Sequence, residues 1–309
     1  MSTTSSNSAD APELATPVNR SPAHAGPLQR KLAPTLPNEP VAIIEPSRAW
    51  NALNLRDLWH YRELLYFLVW RDIKVRYKQT AVGVAWVVIQ PVFSALIFTI
   101  FLGKLARVPS DQIPYVLFVY PSLAFWTFFS AAVTQGGSSI VGSAHLITKV
   151  YFPRLIIPTA AVIARLLDLG IAFMIMLVLL AYYRMPLSPS TLLLPVPLIL
   201  GILLALGMSM LTSALNVKYR DVSVALPVLV QLWMFASPVV YPSSLVPEKY
   251  RTLYELNPLV GILENLRAAL FGGSFYWRSL AISAIFTLAL VIYAAFAFRR
   301  VERSFADIV

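Results

Sequence analysis

Four basic residues, Arg71, Lys74, Arg76 and Lys78, stand within eight positions, directly before a stretch from Gln79 to Gly103 that carries no charge. Arginine offers a planar fork of donors and lysine a mobile point charge, so such a cluster at the edge of an apolar segment suits phosphate groups. The same pattern is what charge anchoring at a membrane surface produces, and the sequence leaves both readings open. A second set, Arg165 and Asp168, lies three apart on one helical face inside an otherwise apolar run. An unpaired charge at membrane depth is costly, so this pair reads as mutually neutralising, with the arginine reaching toward the nearby polar boundary. His145, Lys149, Tyr151 and Arg154 form a third polar group, and Tyr219-Arg220-Asp221 a fourth.

Several chemistries are missing. No G-x-x-x-x-G-K-[ST] occurs, and Gly103-Lys104 lacks both the upstream glycine and the hydroxyl that cradle phosphates and magnesium. ATP hydrolysis is therefore not expected of this chain. There is no cysteine, and His24, His60 and His145 are far apart, so neither thiolate sites nor a histidine metal cluster is expected. Outside Arg165 and Asp168 the apolar runs hold no acid, base or histidine constellation, which argues against a membrane-embedded enzyme.

The elements that must position these groups are membrane helices. Of 309 residues 58% are hydrophobic and 13% charged, where a soluble domain carries about a quarter charged residues. The net charge of +10 sits mainly at the flanks of apolar runs, which favours an anionic membrane surface over nucleic acid. Residues 1–47 are rich in Ser, Pro, Ala and Thr, lack the charged start and apolar core of a signal peptide, and read as a disordered cytoplasmic tail. Residues 48–309 then form one transmembrane domain. From Leu55 to Val69 apolar and charged residues take opposite sides, the pattern of an amphipathic helix in the membrane interface.

The expected fold class is thus an all-α integral membrane protein: this interfacial helix, then six transmembrane helices. The spans are Gln79–Gly103, Ile113–Val133, Leu155–Tyr183, Thr191–Leu215, Val222–Val240 and Ser279–Phe298. Lys and Arg concentrate before the first span, around Lys149 and Arg154, around Lys218 and Arg220, and in Arg299, Arg300 and Arg303, which places these regions and both termini in the cytoplasm. Ser138–Phe152, closed by Pro153, reads as a short cytoplasmic helix. Between spans five and six, Asn257 as N-cap, Pro258 at the first helical position and Gly272 past the end delimit a short apolar helix, expected to be re-entrant from the periplasmic face.

With these motifs in order, the chain from Trp59 onward resembles the membrane subunit of ABC-2 type exporters of lipid-linked polysaccharide, such as those for O-antigen, capsule and teichoic acid. The most specific segment is Arg71-Asp72-Ile73-Lys74-Val75-Arg76-Tyr77-Lys78-Gln79-Thr80 with Gly83, Trp86, Gln90 and Pro91. Pro114-Tyr115 through Phe118 with Trp126 and Phe129, Leu146 to Arg154, Tyr219-Arg220-Asp221, Ser237-Pro238 and Asn257-Pro258 follow in the family's order. Val82-Gly83, Ser122-Leu123 and Ala144-His145 depart from its usual residues, which bears on subfamily and substrate.

The resemblance implies a permease in the bacterial inner membrane, working as a homodimer with two copies of a separate ATPase subunit that binds ATP and magnesium. It implies that the interfacial helix gates lipid access, so that Arg71, Lys74, Arg76 and Lys78 meet the pyrophosphate of an undecaprenyl-type carrier. It implies an aromatic-lined passage, for which Trp86, Phe93, Tyr115, Phe118, Trp126 and Phe129 are candidates. A glycan's hydroxyls each cost several kcal/mol in bare hydrocarbon, and ring faces tolerate a sliding sugar. The competing reading of these rings is boundary anchoring or helix packing. Coupling to the ATPase would fall to His145, Lys149, Tyr151 and Arg154, with Arg220 as a second contact. A small-molecule or lipid exporter of the same fold is the alternative function, ahead of a glycan-modifying membrane enzyme.

Overall fold

The computed structural model describes residues 59–78, 85–110, 113–150, 152–186 and 188–302. The expected tail, residues 1–47, lies outside them, as do Leu55 to Leu58, Gln79, Thr80, Gly83 and Tyr151. Among the described residues all regular structure is helical. The elements are α1 (Arg62–Lys78), α2 (Ala85–Phe98, continued by a π-helical stretch Thr99–Leu105), α3 (Tyr115–Gly142), α4 (Ala144–Ile147) and α5 (Ile156–Tyr182). Then come α6 (Pro195–Lys218, preceded by a 3-10 segment Pro189–Leu193), α7 (Val222–Phe235), α8 (Glu248–Glu255), α9 (Pro258–Phe271) and α10 (Trp277–Glu302).

Among the described residues five helices are long and apolar enough to cross a membrane: Ala85–Leu105, Tyr115–Gly142, Ile156–Tyr182, Pro189–Lys218 and Trp277–Glu302. The expected fifth span, Val222–Val240, is helical only through Phe235. Its 14 helical residues rise about 21 Å, short of the roughly 30 Å hydrocarbon core. The chain then turns through Ala236 to Tyr241, and Ser237, Val239 and Val240 are buried.

Helix α3 is the central post, packed against α5 and α6, with α10 on the far side of α6. Close approach to α6 is built on small residues: a Cβ at Gly136 would lie 2.5 Å from the Ser209 side chain, and one at Gly137 2.9 Å from Thr212 Oγ1. Ser209 Oγ donates to Ala132 O at 3.0 Å and Asn216 Nδ2 to Gly137 O at 3.0 Å, so polar groups tie the two helices where their backbones meet.

Two sequence expectations are corrected. The interfacial helix, expected from Leu55 to Val69, does not end before the basic run, because one helix, α1, runs from Arg62 through Lys78. Nor do residues 138–152 form a helix of their own. The packing on α6 carries α3 through Ser138 to Gly142, the chain breaks at Ser143, and only the single turn Ala144–Ile147 remains. The predicted helix after Asn257 is present as α9: Asn257 Oδ1 accepts from Leu259 N at 3.1 Å, and Gly272 closes it at φ 77°, a left-handed conformation open to glycine.

Candidate functional site

Helix α1 packs chiefly on α5. Leu68 is buried among Phe152, Leu155, Ile156 and Ile157, and Leu64, Leu65 and Val69 flank it. This apolar seam brings the last turn of α1 over the third and fourth turns of α5, where Arg165 and Asp168 stand. Arg76 Nη1 donates to Asp168 Oδ2 at 2.6 Å, and Arg165 Nη1 donates to the same oxygen at 3.1 Å. Arg76 Nη2 and Arg165 Nε both donate to Gln135 Oε1 of α3, at 2.8 and 2.7 Å. The Tyr77 hydroxyl donates to Asp168 Oδ1. Burial first, then this hydrogen bond, pushes the Tyr77 phenol up to about 12, so it stays protonated and remains a donor at physiological pH.

Two guanidinium groups thus converge on one pair of oxygens, one from a carboxylate and one from an amide. They wall a cavity of about 470 Å³ between α1, α2, α3 and α5. Trp86, Gln90 and Pro91 of α2, Phe128 of α3 and Leu169 and Ala172 of α5 complete it. One wall is therefore cationic and hydrogen-bonding while the rest is mainly apolar or aromatic, a combination that suits a phosphorylated head joined to a hydrocarbon tail. On its other side Arg165 borders a polar groove of about 460 Å³ lined by Ser130, Thr134, Gln135 and Ser138 of α3 and Gln231 of α7.

The four basic residues of the junction do not act as one cluster. At about 100° per residue Arg71, Lys74 and Lys78 fall within about 60° of one another on one face of α1, whereas Arg76 stands about 140–160° away from them. Arg71 is tied to its neighbour Asp72 at 2.9 Å, Lys74 lies over the Trp70 ring with 5.3 Å to the centroid, and Lys78 is exposed. Arg76 is the member that reaches the cavity.

The six candidate aromatics also divide. Trp86 and Phe93 are each 61% exposed on α2, and Trp86 lines the cavity. Tyr115, Phe118, Trp126 and Phe129 are buried within the bundle. Phe129 packs on Trp126 and edge-on against Trp233, and Tyr115 Oη donates to Val240 O at 2.5 Å. For these four rings the helix-packing reading is the one their surroundings fit.

In the third group His145 and Lys149 are exposed, whereas Arg154 is drawn inward: its backbone N–H donates to Glu302 Oε1 at 3.2 Å and its Nη1 to Glu302 O at 2.7 Å. Arg154 therefore ties the start of α5 to the end of α10. Arg220 is exposed, and its carbonyl accepts from Ser223 Oγ at 2.8 Å.

Sequence reasoning missed that Arg165 and Asp168 join Arg76, and it missed Gln135. The available signal was an amide two residues past the end of the expected second span, since polar groups near membrane depth require partners.

Residues 63–271 match the ABC-2 type transporter family. An O-antigen export system permease protein RfbA from Myxococcus xanthus is 33% identical over 220 residues, 70% of this chain and 84% of that protein. An RfbA from Klebsiella pneumoniae is 28% identical over 254 residues, 82% of this chain and 97% of its own length. The polysialic acid transport protein KpsM of Escherichia coli is 25% identical over 240 residues, covering 76% and 92% of the two chains. With its apolar spans and a family match over most of its length, the chain is an integral membrane protein and belongs to the ABC-2 type transporters.

Proposed function

We propose that this protein is the permease subunit of an ABC exporter that moves a lipid-linked polysaccharide of O-antigen type across the bacterial inner membrane. The energy comes from ATP hydrolysed by a separate subunit. Similarity to RfbA and KpsM supports the cargo class, and the observation that carries the site is the cavity at the α1–α5 seam. In this reading Arg76 and Arg165 receive the pyrophosphate of an undecaprenyl-type carrier, and the apolar wall with Trp86 receives the first isoprene units.

The working unit is a homodimer with two ATPase copies. The largely exposed apolar face of α2, with Phe93, Ile97 and Phe101, is available to lipid or to the second protomer. Val222–Phe235 completes a sixth span together with residues 236–240, whose irregular backbone is shielded by buried α9 in a re-entrant position, as bare peptide groups in lipid would not be. Both termini, α4 and the turn before α7 then face the cytoplasm, where exposed His145, Lys149 and Arg220 contact the ATPase. Arg154, held by Glu302, shapes that surface from behind.

Deleting the gene tests the reading. Lipid-linked glycan accumulates on the cytoplasmic face and surface polymer is lost; a deletion strain with normal surface polymer would overturn the export role.

A further inference from the structure

The arrangement of donors around Asp168 carries more than a binding site. Arg76 and Arg165, from helices α1 and α5, share the same two acceptor atoms, Asp168 Oδ2 and Gln135 Oε1. Two forked cations gripping two adjacent oxygens is the geometry with which guanidinium groups hold a phosphoryl group. We infer that Asp168 is a resident counter-ion standing in the place of the ligand's phosphoryl oxygens, and that a phosphoanion entering the cavity takes over Arg76 and Arg165 by displacing it. The inference rests on the reading of this cavity as the carrier head-group site and adds how the site responds to occupancy.

Charge fixes the direction of the exchange. Asp168 is an anion that the two cations share, and it is only 12% exposed. A diphosphate brings further negative charge into a mainly apolar cavity, where like charges a few ångströms apart repel strongly. The ligand and the carboxylate therefore compete for the same donors. Asp168 also accepts from Tyr77, so two residues of the last turn of α1 are held on α5 through this one carboxylate. Replacing it by the ligand changes what fastens the end of α1, while the apolar seam at Leu68 stays as it is. Occupancy is thereby converted into a shift of α1 relative to α5.

The experiment uses the full chain with its ATPase subunit in phosphatidylcholine nanodiscs, probed with farnesyl diphosphate, farnesol and inorganic pyrophosphate. Farnesyl diphosphate binds the unaltered protein and farnesol binds at least about tenfold more weakly. Asp168→Asn, which removes the competing charge, tightens farnesyl diphosphate about tenfold, the size expected of one charge-assisted contact. Unchanged or weaker binding by Asp168→Asn, with the unaltered protein binding well, overturns the exchange and leaves the head-group site standing. No binding by the unaltered protein overturns both. Pyrophosphate binding as well as farnesyl diphosphate supports the exchange but overturns the carrier-lipid reading, whereas at least about tenfold preference for the lipid form supports both.

A second measurement does not depend on Asp168→Asn folding. The chain has no cysteine, so cysteines placed at the exposed positions Tyr66 and Met174, in labelled protomers diluted with unlabelled ones, give one spin-label pair within a protomer reporting α1 against α5. Saturating farnesyl diphosphate moves that distance by about 2 Å or more, the scale of helix shifts in switching proteins. A distance unaltered at saturation overturns the exchange.

Discussion

Two arginine sites occupy opposite ends of α3. At one end Arg76 and Arg165 meet Gln135; at the other Arg267 of α9 meets Ser122. Thirteen residues of helix separate the two α3 positions, about 20 Å. Arg267 is 7% exposed and is enclosed by protein: Nη1 donates to Pro238 O at 2.9 Å and to Ser122 Oγ at 3.3 Å, and the guanidinium lies 4.3 Å from the centre of the Phe118 ring. It ties α9 and the turn after α7 to the central post. Arg76 and Arg165 are partly exposed and wall a cavity. The same side chain serves as a rivet where protein surrounds it and borders open space where a cavity is left beside it. Enclosure by partners, more than depth along the bundle, separates the two roles.

That difference sets an order of expected effects. Arg267→Ala is the most damaging change, because it strands buried acceptors and releases α9; a loss of about 3–5 kcal/mol is expected, seen as loss of monodisperse protein in detergent with export abolished. Overpacking the same region comes next. A Cβ at Gly261 would fall 2.3 Å from the Ser279 carbonyl oxygen and 2.4 Å from Ser283 Oγ, so Gly261→Ala should cost about 1–3 kcal/mol, read as a lower midpoint of thermal aggregation.

At the cavity the expectation reverses. Arg76→Gln keeps an amide donor at the α1–α5 seam and leaves the aggregation midpoint within a few degrees, yet export falls at least about tenfold, measured as surface polymer. A fold loss equal to that of Arg267→Ala would erase the comparison. Smaller still, Lys149→Glu leaves folding intact and weakens recovery of the ATPase subunit on co-purification; unchanged recovery removes it from the contact surface. Smallest, Lys78→Gln, on an exposed side chain, alters export less than about twofold.

The two sites also differ in how far the sequence disclosed them. The helix carrying Arg267 was legible because its signals are local: an N-cap at Asn257, Pro258 after it and a glycine at 272 that takes φ 77°. The long spans were legible for the same reason, as hydropathy is read from contiguous residues. The cavity was legible only in fragments. Arg76 and Asp168 are 92 positions apart, and nothing in either segment says that the Leu68 seam lays one over the other. The run from Arg71 to Lys78 looked like one basic cluster because letters on a line hide the roughly 140–160° that turns Arg76 away from the other three. The aromatics misled in a related way, since a ring's chemistry suits both a sugar and a neighbouring ring, and only packing separates exposed Trp86 from buried Phe129.

The central claim is that the Arg76–Arg165 cavity belongs to the path of a phosphate-linked lipid cargo driven by another subunit's ATP. Proteoliposomes containing this chain and its ATPase, supplied with lipid-linked glycan, test it most directly through ATP-dependent movement of glycan across the bilayer. The account predicts transport by the unaltered protein and its loss in Arg76→Gln/Arg165→Gln protein that still assembles with the ATPase. Undiminished transport by that assembled double variant would contradict it.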